Sequence, residues 1–159
     1  MTPLHFGWFG GWPVKVAYFL LGLGLTAVTS SGVAIWLARR RDKGRPAPRR
    51  ERVWIAFVWS QPVAYAASAL LALLAPMPPV AVWGLATLAS MGAAIAWTPP
   101  VISARLRLLS AALLAGVSLA HIGLHAGRFA DPVAWAVNLG FLAAAVLLAL
   151  SVRLSRTAD

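Results

Sequence analysis

Charged residues are spaced so unevenly that they divide the chain into long apolar runs. Residues 53–104 contain no Asp, Glu, Lys or Arg. As one helix this run would extend about 78 Å, more than twice the roughly 30 Å hydrocarbon thickness of a bilayer. The run therefore predicts two membrane spans, with Pro76, Pro78 and Pro79 in the turn between them.

The whole sequence predicts five helices that can cross a bilayer, because each apolar run is close to the roughly 20 residues that a spanning helix requires. Charges and turn residues place these predicted spans at residues 16–38, 53–75, 80–97, 106–126 and 133–152. We therefore expect an all-α integral membrane bundle of five transmembrane helices, forming a single transmembrane domain over residues 1–159.

Composition supports this fold class. Hydrophobic residues make up 60% of the chain and charged residues 11%, and the mean hydropathy is +0.78. A soluble domain of 159 residues needs more polar surface than this to cover its core. The sequence contains no Cys, which excludes disulfides, thiolate catalysis, iron–sulfur clusters and cysteine-based zinc sites.

Positive charges predict the side of the membrane on which each loop lies. Eight of the 14 Lys and Arg residues fall in residues 39–52, and four flank other apolar runs, namely Arg105, Arg107, Arg153 and Arg156. Because Lys and Arg concentrate in cytoplasmic loops, we expect 39–52 to be a mobile cytoplasmic loop, with the N-terminus outside and the C-terminus cytoplasmic. Although the formal net charge is +10, this placement indicates contact with the lipid bilayer and no nucleic-acid partner.

Tryptophan positions agree with this topology. Indole rings prefer the membrane–water interface, and seven of the eight Trp residues fall at predicted span ends. The exception is Trp59, about one and a half turns inside the second span, where we expect it to pack on a neighbouring helix or to donate its indole N–H.

Acidic residues lie only in predicted loops or at the C-terminus: Asp42, Glu51, Asp131 and Asp159. Ion-coupled carriers usually hold an ionisable group within the membrane, so the absence of acidic residues from the predicted spans disfavours such a carrier. Gln61 beside Pro62 leaves a small-solute carrier as a weaker alternative. A zinc-hydrolase HExxH motif is excluded because Ile122 follows His121.

Three histidines carry the candidate chemistry, and all three fall on the predicted outer side: His5, His121 and His125. Neutral imidazole is an axial ligand of haem iron, whereas a single interfacial His more commonly bonds a carbonyl or a headgroup. His121 and His125 lie on one helical stripe, so we expect His5 to pair with one of them. Lys15 and Arg128, the two predicted outer cations, are candidates to pair with haem propionates.

The N-terminal quarter resembles a known family. Residues 4–41 read LHFGWFGGWPVKVAYFLLGLGLTAVTSSGVAIWLARRR and resemble PepSY-associated transmembrane-helix proteins, iron-regulated inner-membrane proteins of bacteria that include siderophore reductases. Matching positions are Leu4, His5, Gly7, Gly10, Gly11, Gly22, Leu23, Leu25, Gly32, Trp36 and Arg39 to Arg41. Ser31 departs from the usual Thr.

The resemblance implies a haem b protein of the bacterial inner membrane that passes electrons to the periplasmic face, as part of a reductase for ferric siderophores or iron acquisition. His5 is then the family's motif histidine. Family members usually have an earlier helix and a PepSY region before this motif, so the chain resembles a carboxy-terminal membrane portion, a truncated gene product or a reduced relative. An upstream PepSY-containing polypeptide is an expected partner. The alternative is a non-catalytic membrane scaffold that docks a partner through the small residues of the first span.

Overall fold

The computed structural model describes residues 11–75, 77–125 and 132–157. These residues form five helices and no strands: α1 (Gly11–Asp42), α2 (Pro48–Leu74), α3 (Pro79–Ala96), α4 (Pro99–His125) and α5 (Pro132–Thr157). Each helix contains a stretch long and apolar enough to cross a membrane. The predicted all-α fold with five spans is confirmed, while the predicted orientation of the termini stays a prediction.

Proline begins four of these helices. Pro48, Pro79, Pro99 and Pro132 are the first residues of α2, α3, α4 and α5. Proline suits this position because the first helical N–H has no intrahelical acceptor and the ring presets a helical φ. The start of each of these four helices is therefore marked by a proline in the sequence.

The basic stretch 39–52 is more helical than the predicted loop. Its first residues form the last turn of α1, and its last residues form the first turn of α2. Between them, Gly44 has φ +65°, while Gly44 N–H donates to Arg41 C=O (2.9 Å) and Arg45 N–H to Arg40 C=O (2.9 Å). This is a Schellman cap, in which a left-handed glycine satisfies the last carbonyls of a helix. Charge marks where an apolar run ends, but the helix continues into water until this cap stops it.

The chain forms two compact units, Met1–Ala47 and Pro48–Asp159. The first contains α1. In the second, α2 packs against α3 and α4, and α5 packs against α4. The apolar core of the second unit contains Ala56, Val63, Ala94, Ile102 and Leu106.

Small residues bring the helices of the second unit close together. Ala56, Ala64, Ser60, Ser110 and Ser118 have no exposed surface. Ala and Ser at helix contacts allow close backbone approach, and this contact replaces the hydrophobic effect as the main attraction between helices in lipid. The helix contacts of this unit are thus built partly from Ala and Ser.

Pro62 lies inside α2, where its missing N–H leaves the carbonyl of residue 58 without its usual partner. Ser60 and Gln61 are the polar side chains nearest in sequence that could donate to that carbonyl. Instead, Ser60 Oγ donates to Phe57 C=O (2.7 Å), and Gln61 Nε2 donates to Ser60 Oγ (3.1 Å). Ser60 therefore donates to the carbonyl of residue 57, which lies one residue before the carbonyl freed by Pro62.

Candidate functional site

A polar cluster lies between α4 and α5 near the end of α4. It consists of Ser118, His121 and His125 on α4 and Asn138 on α5. Asn138 is 2% exposed and Ser118 is fully buried, whereas both imidazoles are half-buried. Ser118 Oγ donates to the backbone carbonyl of Asn138 (3.0 Å), which joins the two helices at this level.

Asn138 orients the His121 ring. Its Nδ2 donates to Ala134 C=O (2.9 Å), so that atom is a donor and the orientation of the amide is defined. The same Nδ2 lies 3.0 Å from His121 Nδ1, and Oδ1 lies 3.3 Å away. His121 Nδ1 accepts from Nδ2 when the ring proton is on Nε2, and donates to Oδ1 when the proton is on Nδ1; the shorter contact favours the first tautomer. In this tautomer Nε2 has no lone pair for a metal.

His125 has the opposite arrangement. Its Nδ1 lies 3.2 Å from the backbone carbonyl of His121. A carbonyl oxygen only accepts, so Nδ1 carries the proton and Nε2 keeps its lone pair. Histidines that bind metals usually donate their other ring N–H to a carbonyl or carboxylate in this way. The donor chemistry of His125 therefore fits a haem axial ligand better than that of His121.

The two rings are neighbours on one face of α4, with centroids 5.0 Å apart and planes tilted by 41°. Axial ligands of one haem approach the iron from opposite faces, so adjacent rings on one stripe are poorly placed to share it. Within the described ranges, no group of three or more His, Cys, Asp or Glu side chains is arranged to hold a metal ion. Haem iron needs only two protein ligands.

The other predicted site residues are not brought into this cluster by the described contacts. His5 and Arg128 lie outside the described residues. Lys15 belongs to α1, in the first unit, where its Nζ lies 5.6 Å from the centroid of the Trp12 ring. The proposed pairing of Lys15 with a propionate stays a prediction.

The sequence analysis missed Asn138 and Ser118. Asn138 is the only Asn in the chain and lies inside the predicted span 133–152. A polar amide at that depth needs a partner, and this was the available signal. The identity of the partner depends on how α5 packs against α4.

A second polar group explains the exceptional position of Trp59. The Arg107 guanidinium carbon lies 5.4 Å from the centroid of the Trp59 ring. Arg107 Nε donates to Ser103 C=O (3.2 Å), and its Nη1 donates to Ser151 Oγ (3.1 Å). Trp59 therefore packs on a neighbouring helix, as expected, through a cation–π contact. This group connects α2, α4 and α5.

Comparison with known proteins gives one match. The family model of the PepSY-associated TM region matches residues 1–39, which include His5. Neither the curated proteins nor the solved structures contain a match. Together with the five apolar helices, this match makes the chain a multi-pass membrane protein, and it confirms the resemblance noted from the N-terminal motif. Residues 1–39 of the chain are therefore similar to the PepSY-associated TM region.

Proposed function

We propose that this protein binds haem b beside the end of α4 and passes electrons toward the outer face of a bacterial inner membrane. The observation that carries the proposal is the hydrogen bond between His125 Nδ1 and the His121 carbonyl, which leaves Nε2 of His125 able to bind iron. His5 would be the second protein ligand in this proposal. It lies in the matched family region, and the predicted topology puts it on the same side of the membrane as the end of α4.

The residues have separate roles in this proposal. His5 and His125 would hold the iron, while Asn138 and His121 keep the end of α4 against α5. Lys15 and Arg128 pair with the propionates. The haem supplies reversible one-electron chemistry when bound, and its potential depends on ligand identity and burial.

Absorbance spectroscopy of the purified full-length chain tests the cofactor and its ligands. We expect a Soret band and, after reduction, a split α band from low-spin haem with two imidazole ligands. His5→Ala and His125→Ala should both lose these bands. His121→Ala should retain them, because the tautomer favoured by the Asn138 contact has its proton on Nε2. A colourless preparation from haem-replete cells overturns the proposal.

His121→Ala is the matched control for His125→Ala, since the two rings are one turn apart on the same stripe. If His121→Ala loses the haem and His125→Ala keeps it, the ligand assignment is wrong although haem binding stands. His125→Gly with added imidazole separates ligand loss from misfolding. Imidazole should restore the bands if the side chain acts as a ligand.

The family resemblance supports a substrate class, namely ferric siderophores or another chelated form of Fe(III). Each Fe(III) would take up one electron, which the bound and reduced haem would supply, and would become Fe(II). The test mixes dithionite-reduced protein, freed of excess dithionite, with a ferric hydroxamate chelate in a stopped-flow spectrometer. We expect haem oxidation together with capture of Fe(II) by ferrozine. No oxidation on a time scale of minutes contradicts this substrate class.

A second candidate function is a non-catalytic scaffold in which α1 docks another membrane protein, such as a PepSY-containing polypeptide. The observation that favours it is that the family match falls on the unit containing α1, and α1 is the helix with Gly22, Gly24 and Gly32. Co-purification in mild detergent distinguishes the two functions. The scaffold requires a retained partner, no chromophore, and no effect of replacing all three histidines.

A further inference from the structure

A basic pocket of roughly 370 Å³ lies at the end of α1, in the first unit of the chain. Its lining consists of Trp36, Arg39, Arg40, Lys43 and Arg45. Four of these five side chains are cationic and none is acidic. Four cations around one pocket repel one another unless an anion lies between them. The composition of the pocket therefore selects for a negatively charged ligand.

Local structure holds the cations in place. The guanidinium carbon of Arg40 lies 5.3 Å from the centroid of the Trp36 ring, so the indole positions this side chain. Arg40 Nε is buried and has no hydrogen-bond partner among the described residues. A buried N–H without a partner is costly, and an oxygen of a bound anion would satisfy it. The pocket is thus lined by an excess of positive charge, and Arg40, one of its lining residues, has a donor in need of an acceptor.

The Schellman cap brings the remaining cations to the same place. Gly44, with φ +65°, reverses the chain so that Arg45 N–H bonds back to Arg40 C=O. Lys43 and Arg45 therefore return toward the last turn of α1, which carries Arg39 and Arg40. A non-glycine residue at position 44 strains this turn, because L-residues rarely adopt a positive φ. The geometry of the pocket depends on this one glycine.

The position of the pocket along the chain indicates that the anion comes from a lipid headgroup. Trp36 lies near the end of the apolar part of α1, and indole rings concentrate at the level of the lipid headgroups. Clusters of Lys and Arg beside a membrane span bind the phosphates of anionic lipids. We propose that this pocket binds the phosphate of an anionic phospholipid, with Arg40 as its central contact. The proposal is independent of haem binding.

Native mass spectrometry of the full chain tests it, with phosphatidylglycerol, phosphatidylcholine or inorganic phosphate added to the detergent-solubilised protein. We expect preferential retention of phosphatidylglycerol. The double variant Arg40→Gln/Arg45→Gln should lower its affinity roughly 25-fold, from about 1 kcal/mol per cation. Gly44→Ala should lower it several-fold without changing the net charge.

The matched control is Arg49→Gln/Arg153→Gln, which removes two exposed cations from outside the pocket. Its affinity should change by less than about threefold. An equal loss in both double variants shows a diffuse charge effect and overturns the site. Equal retention of phosphatidylcholine and phosphatidylglycerol also overturns it. Tight binding of inorganic phosphate with no lipid preference overturns the lipid source.

Discussion

Replacing Asn138 by Leu separates the hydrogen bond to His121 from simple packing at the α4–α5 contact. Leu has the same branched arrangement of four side-chain heavy atoms as Asn, and position 138 is 2% exposed, so the substitution leaves little cavity. It removes the 3.0 Å contact from Nδ2 to His121 Nδ1. The other Nδ2 partner, the Ala134 carbonyl, still accepts the helical N–H of residue 138. His121 Nδ1 is therefore the group that loses its amide donor.

The expected energy follows from this geometry. An orphaned, buried acceptor costs about 1–3 kcal/mol, but polar pairs within membranes couple by only about 0.6 kcal/mol on average and about 1.7 at most. Asn138 is 2% exposed, so we expect a coupling between these limits, about 1 kcal/mol, for Asn138→Leu and His121→Leu. Each single variant should lower the free energy of unfolding by a similar amount.

Reversible unfolding in mixed micelles with increasing SDS measures these free energies for the four proteins of the double-mutant cycle. The matched control cycle combines Asn138→Leu with His125→Leu, because His125 bonds the backbone of His121 and not the amide. Its effects should add within about 0.5 kcal/mol. Two cycles with equal coupling, or no coupling between Asn138 and His121, would refute the assigned hydrogen bond.

Three further expectations concern the bundle and its topology. Ser151→Ala should lower the unfolding free energy by about 0.5–1.5 kcal/mol, because it removes the acceptor of Arg107. Trp59→Leu should lower it by about 0.5–2 kcal/mol, because it removes the cation–π contact. Both losses should disappear when the same variants are made in an Arg107→Met protein. Gly116→Ala should raise the unfolding free energy by up to about 1 kcal/mol, because its Cβ would lie 3.5 Å from Leu70, whereas Gly116→Leu should lower it by about 1–3 kcal/mol. Reporter fusions should place the N-terminus outside and the C-terminus in the cytoplasm, and the reverse pattern contradicts the positive-inside argument.

Helix number and approximate position were predictable because a bilayer imposes length and apolarity on every span. The helix ends were less predictable. The predicted span 16–38 is shorter than α1, which covers Gly11–Asp42. At its C-terminal end the helix continues past the apolar run because Arg is still a good helix former. The stop signal was Gly44, whose left-handed conformation caps α1 two residues beyond its last helical residue.

The sequence alone determined that the chain crosses the membrane, that its N-terminal segment carries a PepSY-associated motif, and that His121 and His125 share a helical face. Each of these properties depends on residue type and on spacing along a single helix. Only the tertiary structure decided that Asn138 meets His121, that Trp59 lies against Arg107, and which imidazole nitrogen keeps a lone pair. These contacts join different helices or depend on atomic hydrogen bonds. Their register is set by close packing of Ala and Ser surfaces, which no local periodicity records.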